Sequence, residues 1–225
     1  MKPSLEELIA QTEIRHIAIE GVIGAGKTSL ANLLSERLSA RLVLEQFEEN
    51  PFLPKFYQAQ ERYAFQTQLF FLLSRYKQQQ QLAQADLFHR FLITDYIFEK
   101  DKIFAYLNLE DDELKLYETV MGTIEHTVPV PNLVVYIQCN VERLMANIRL
   151  RGRAYEKNMS EDYIRELNEA YNYFFFRYKA APLLIINASQ IDFVRNDHEL
   201  EDLMREIFRP DKAPVEYYNP AILKR

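Results

Sequence analysis

The chain has 225 residues, yet it holds one cysteine, Cys139, and only five glycines. A single cysteine cannot close an intrachain disulfide, which fits a reducing compartment. Positive charge is also short: 27 Lys and Arg face 33 Asp and Glu, for a net charge of −6. General nucleic-acid and membrane-surface binders need a basic footprint, so both classes are disfavoured. No apolar run approaches a membrane span, and the opening MKPSLEELIAQTEIRH has no apolar signal segment. The expectation is a cytoplasmic protein. Internal repeats and linkers rich in Gly, Ser or Pro are missing too. One domain over 1–225 is therefore expected, with its core at about 13–209 and an irregular tail over 210–225.

What is present is a regular alternation. Short, nearly continuous apolar runs stand at 16–20, 41–45, 91–95, 133–137 and 183–186. Such runs suit strands buried on both faces. Helical patterns lie between them, at about 27–39, 60–85, 111–126, 141–150, 161–179 and 197–208. This order predicts an α/β fold: a parallel five-stranded sheet with helices on both faces. The run Gln78-Gln79-Gln80-Gln81 falls in the second helix and reads as a solvated face.

The scarce glycine is concentrated. Gly21, Gly24 and Gly26 fall within six positions, in Gly21-Val-Ile-Gly-Ala-Gly-Lys27-Thr28-Ser29. This matches G-x-x-x-x-G-K-[ST], with a β-rich run before it and a helical pattern after it. Glycine lets the backbone N–H groups wrap onto phosphate oxygens, and the helix N-terminus adds partial positive charge. Gly21, Gly24, Ala25, Gly26, Lys27, Thr28 and Ser29 are thus the expected ATP-binding residues of a P-loop fold. Lys27 would reach the β and γ phosphates, and Thr28 would ligate Mg²⁺.

In a parallel sheet, ligands sit beyond the carboxyl ends of the strands. Glu45 and Asp95 close the second and third apolar runs, so both should face the phosphate site. Asp95 suits a second Mg²⁺-directed oxygen. Glu45 suits a base for an attacking hydroxyl, with Glu48 and Glu49 as neighbouring competitors. The segment 149–156, Arg-Leu-Arg-Gly-Arg-Ala-Tyr-Glu, places arginines at a helix end around Gly152. Arginine binds phosphoryl oxygens through two N–H groups at once, so this segment reads as an arginine-rich lid. No Asn-Lys-x-Asp guanine-reading motif follows the fifth run, and no His-Glu-x-x-His metal site occurs. The four histidines read as structural or solvated.

The motifs "IEGVIGAGKTS", "LEQFEENPFLPKFY", "YAFQTQLFFLLSRYKQ", "TDYIFEKDKIFA" and "RGRAYEKNMS" occur in that order. Together they resemble the deoxynucleoside kinase family, above all its bacterial deoxyadenosine and deoxyguanosine kinase branch. The resemblance runs from about Arg15 to Phe208. It implies γ-phosphoryl transfer from ATP to the 5′-hydroxyl of a deoxynucleoside in nucleotide salvage, usually by a homodimer. It makes Glu45 the base and gives Lys27, Arg151 and Arg153 the moving phosphoryl group. Gln68 is implied to read the base edge, Phe104 to pack on the base, and Tyr57 and Glu156 to hold the 3′-hydroxyl. Arg75 and Asp101 match a pair used near purine and cytosine bases, which implies a purine substrate. The aromatic helix over 63–76 is either a dimer face or core.

Two positions depart from the family pattern. The family has an arginine directly after the third-strand carboxylate, where this chain has Tyr96; Lys100 or Arg149 is the expected substitute. Thr67 stands where many members place a base-stacking phenylalanine, with Phe65 a possible replacement. Two other readings fit the phosphate loop. One is a thymidylate-like monophosphate kinase, which would need a further basic site. The other is a non-catalytic nucleotide-binding subunit.

Overall fold

A computed structural model describes residues 3–82, 88–157 and 159–220. Six strands form one sheet: β1 (His16–Gly21), β2 (Arg41–Val43), β3 (Leu92–Thr94), β4 (Leu133–Gln138), β5 (Leu183–Asn187) and β6 (Val215–Tyr218). Their spatial order is β2-β3-β1-β4-β5-β6, and every neighbouring pair is parallel. Between the strands run α1 (Leu5–Gln11), α2 (Lys27–Leu38), α3 (Leu53–Phe56), α4 (Gln60–Leu82) and α5 (Lys100–Asn108). The chain continues through α6 (Asp111–Ile124), α7 (Val141–Arg151), α8 (Glu161–Arg177) and α9 (Asp197–Phe208).

The central strands are as apolar as their sequences require. Ile17, Ile19, Val134, Val135 and Ile186 have no measurable exposure. Each such side chain contributes roughly 1.5–3 kcal/mol of transfer free energy on burial. A second apolar cluster around Leu72, Phe98, Tyr117 and Met121 joins α4, α5 and α6 away from the sheet. The expected α/β architecture is therefore present.

Four local expectations change. The sheet has six strands rather than five, because the tail expected to be irregular supplies β6. Its residues alternate between exposed and partly buried, so it carries no continuous apolar run. Pro214 presents its carbonyl to the Leu183 N–H at 2.9 Å and starts the pairing with β5. The tail beyond Pro220 lies outside the described residues, as do positions 83–85 of the second helical pattern. Next, α1 forms before β1 on a reciprocal cap: Ser4 Oγ accepts the Glu7 N–H at 3.1 Å, and Glu7 returns a bond to the Ser4 N–H at 2.7 Å. The pattern Ser4-x-x-Glu7 was the available signal. A further helix, α5, forms over a stretch with no helical expectation. Last, the glutamine run is not wholly solvated. Gln78 and Gln79 are buried and only Gln80 and Gln81 face out. A helix turning 100° per residue cannot keep four successive side chains on one face.

His16 packs against β3, its Nε2 3.1 Å from Thr94 Oγ1, and burial lowers its pKa to about 4. Cys139 is buried with its thiol pushed up to about 11 by burial, so it is an unreactive apolar filler.

Candidate active site

The phosphate loop leaves β1 and enters α2. Gly24 and Gly26 have φ of 87° and 97°, a region costly for other residues. A Cβ on Gly24 would lie 2.6 Å from the Leu144 carbonyl oxygen, so α7 presses directly on the loop. Asn147 of α7 reinforces this contact, donating from Nδ2 to the Gly24 carbonyl at 2.7 Å. Lys27 Nζ lies over the loop, donating to the carbonyls of Gly21 at 2.7 Å and Val22 at 3.2 Å. Burial brings its pKa down to about 8. Ala25 is buried, whereas Ser29 is exposed on the first turn of α2.

Beyond the sheet edge, a cavity is lined by Lys27, Thr28, Glu45, Asp95 and Lys100 on the loop side. Phe47, Phe56, Tyr57, Thr67, Gln68, Phe71, Arg75 and Phe104 line it as well, together with Arg151, Arg153, Tyr155 and Glu156. The structure thus brings most of the sequence-predicted residues together. Gly24, Ala25, Gly26 and Ser29 instead line an adjoining cavity that shares Lys27, Thr28, Arg151 and Arg153 with the first, while Gly21 and Asp101 line neither, Asp101 standing fully buried behind Arg75.

Glu45 lies two residues past β2 and is held from three directions. Its backbone N–H donates to Asp95 Oδ1 at 2.7 Å. Arg75 donates to Glu45 Oε1 from Nε at 2.8 Å and also from Nη2, while Nη1 binds Asp101. Lys100 Nζ donates to Glu45 Oε2 at 2.7 Å. Burial alone would raise the Glu45 pKa, but Arg75 and Lys100 outweigh it and hold the carboxyl well below the ordinary range. Glu48 and Glu49, the competitors in sequence, are exposed or outside the cavity lining.

Asp95 follows β3 and is shared. Its Oδ2 accepts the Thr28 hydroxyl at 2.7 Å while Oδ1 holds Glu45. A hydroxyl and a carboxylate at this spacing supply the hard oxygens that Mg²⁺ prefers. Among the described residues, no three His, Cys, Asp or Glu side chains gather to hold a metal. An ion here would be completed by phosphate oxygens and water.

The lid is folded onto its own carboxylate. Arg151 grips Glu156 with two bonds, Nε to Oε2 at 3.1 Å and Nη2 to Oε1 at 2.6 Å. Arg153 lies 3.6 Å from Glu156 Oε1 and packs its guanidinium 4.1 Å above the Phe47 ring. Tyr57 stacks on Tyr155 at 5.9 Å, and Phe104 meets Tyr171 edge-on at 6.0 Å.

Both departures in sequence have structural outcomes. Tyr96 is fully buried and absent from the cavity wall. Lys100 lines the cavity, whereas Arg149 is exposed and does not. Phe65 does not fill the space beside Thr67, because it packs in the second apolar cluster. The aromatic that lines the cavity there is Phe71, with the Arg75 guanidinium 4.7 Å from its ring centre. Its position, three after Gln68 and four before Arg75, was the sequence signal for a shared face.

A family model described as "Deoxynucleoside kinase" matches residues 17–210. The chain belongs to the deoxynucleoside kinase family, and it is an enzyme of the phosphotransferase class. It is 33% identical over 196 residues to a deoxyguanosine kinase of Bacillus subtilis, covering 85% of this chain and 95% of the relative. It is 31% identical over 208 residues to a deoxyadenosine kinase of Dictyostelium discoideum, covering 87% and 84%. A solved deoxyadenosine kinase from M. mycoides with bound dATP superposes with a TM-score of 0.75 at 24% identity. That match covers 86% of this chain and 98% of the other and shows a shared fold.

Proposed function

We propose that the chain transfers the γ-phosphoryl group of ATP to the 5′-hydroxyl of a purine deoxynucleoside in nucleotide salvage. The observation that carries this reading is Glu45, a carboxylate gripped by Arg75 and Lys100 where the phosphate loop meets an aromatic cavity.

The triphosphate lies on the amides of 21–29, with Lys27 turning from its own loop to the phosphates. Thr28 and Asp95 would hold Mg²⁺, which draws charge from the triphosphate when bound. The 5′-hydroxyl points at Glu45, which takes its proton. So acidic a carboxyl is a weak base, but phosphoryl transfer passes through a loose transition state. The proton leaves late, when the oxygen has already become acidic. Positioning matters more than basicity. Arg151 and Arg153 neutralise the moving phosphoryl, while Tyr57 and Glu156 receive the 3′-hydroxyl.

The base lies between Phe71 and Phe104. The Gln68 amide reads its edge, since an amide both donates and accepts. Arg75 takes part, held in place by Asp101. The small Thr67 leaves room for a two-ring base. A phosphorylated acceptor suits the cavity less well: Arg75 is already divided between Glu45 and Asp101, and the Glu45 carboxylate would repel an acceptor phosphate. The working form we propose is a cytoplasmic homodimer joined through α4 and α6, where Leu73 and Leu116 are exposed.

The test is ADP release measured with four deoxynucleosides and their 5′-monophosphates as acceptors. Turnover with deoxyadenosine or deoxyguanosine above deoxycytidine and thymidine is expected. Turnover with monophosphates alone would overturn the reading.

A further inference from the structure

The Lys100 ammonium has hydrogen-bonding capacity left over. Its side chain is 4% exposed and lines the same cavity as Glu45. Among the described residues it makes one hydrogen bond, to Glu45 Oε2 at 2.7 Å. The next carboxylate oxygen, Glu20 Oε1, stands 3.8 Å away, beyond hydrogen-bond length. Glu20 is occupied elsewhere, with Oε2 accepting the Gly21 N–H at 2.9 Å and Oε1 the Ile97 N–H at 3.1 Å. An ammonium carries three donors. Burying one with donors unfilled is costly unless a ligand meets them.

The surroundings decide where that ligand atom sits. Arg75 occupies Glu45 Oε1 and Lys100 occupies Oε2. An alcohol that gives its proton to Glu45 from the cavity side therefore arrives within reach of Lys100. Arg75 is already divided between Glu45 and Asp101. Tyr96, one residue beyond Asp95, is fully buried and cannot serve. Glu45 and Glu20 keep Lys100 charged against the opposing effect of burial.

We infer that Lys100 is a catalytic residue, donating a hydrogen bond to the acceptor's 5′-oxygen while that oxygen gives its proton to Glu45. This rests on the deoxynucleoside kinase reading above. In the step itself, a lone pair of the 5′-oxygen forms the bond to the γ-phosphorus. The bond from that phosphorus to the β,γ-bridging oxygen breaks, and ADP keeps the electron pair. The 5′-oxygen's proton passes to Glu45 and then to solvent. Lys100 keeps its three protons and fixes which lone pair faces the phosphorus.

The experiment pairs a side-chain change with a ligand-atom change. Binding of a 2′-deoxynucleoside and of its 2′,5′-dideoxy counterpart is measured by calorimetry on wild type, K100M and K100R. Wild type should favour the 5′-hydroxyl compound by about tenfold, the scale of one hydrogen bond to a charged group, and K100M should lose most of that preference. Turnover should fall about 100-fold in K100M with KM for ATP little changed, and K100R should recover part of it. Should K100M melt early, K100Q gives the same comparison. A Lys100 variant that keeps the wild-type preference for the 5′-hydroxyl overturns the assignment, as does one with wild-type turnover. Wild type is assayed first: no phosphorylation of any deoxynucleoside removes the functional reading itself, whereas an active wild type with an unaffected K100M removes only Lys100.

Discussion

Asp95 and Glu45 are joined by a hydrogen bond from the Glu45 backbone N–H to Asp95 Oδ1 at 2.7 Å. The other Asp95 oxygen holds the Thr28 hydroxyl, so one carboxylate ties the proposed metal oxygens to the proposed base. The two oxygens can be tested apart. Asp95→Asn keeps a carbonyl oxygen for the Glu45 N–H but removes the charge. We expect its Mg²⁺ requirement to rise about tenfold or more while nucleoside binding holds. Asp95→Ala should weaken nucleoside binding as well. Mg²⁺ titrations of turnover, beside nucleoside binding, check both outcomes.

Gln78 anchors the same segment from the opposite side, donating from Nε2 to the Leu44 carbonyl at 3.1 Å. Gln78→Leu keeps the bulk and removes that bond. Turnover is expected to fall about tenfold through misplacement of Glu45, since small displacements are costly in positional catalysis. KM for ATP should stay near wild type. Steady-state kinetics with both substrates varied reads this directly.

Thr67 is buried in the cavity wall, and its hydroxyl has no hydrogen-bond partner among the described residues. Thr67→Phe fills the space proposed for a second ring. The expected result is a loss of about tenfold or more in kcat/KM for purine deoxynucleosides, with deoxycytidine much less affected. Competition assays between deoxyguanosine and deoxycytidine measure the ratio.

His16 makes stability depend on pH. Its folded pKa is about 4, below its ordinary 6.5, because burial disfavours the charged ring. The unfolded chain therefore binds the proton more readily, and stability falls as pH drops from about 6.5 towards 4. Between pH 7.5 and 5 the loss attributable to His16 is about 2 kcal/mol. His16→Gln should flatten that part of the profile. Urea unfolding at the two pH values gives the comparison.

The parallel sheet and phosphate loop were legible because each has a short-range signature: continuous apolar runs, and glycine at fixed spacing before Lys27. β6 was not legible because it is an edge strand of four residues between prolines, held by pairing with β5 rather than by its own composition. Glu45 was legible from its place at the end of the second apolar run, whereas Gln68 and Arg75 were recognisable only through the family resemblance, and Phe71 was missed. Local sequence does not say which face of α4 turns towards the cavity. The Lys100–Glu45 pair spans 55 positions and depends on the sheet order bringing β2 beside β3.

The most direct measurement compares wild type with Glu45→Gln for turnover and for deoxynucleoside affinity in the same preparation. The account predicts that the variant binds the nucleoside within about threefold of wild type while kcat falls by about 10³, within the range of a lost general base. Wild-type turnover in Glu45→Gln would contradict it.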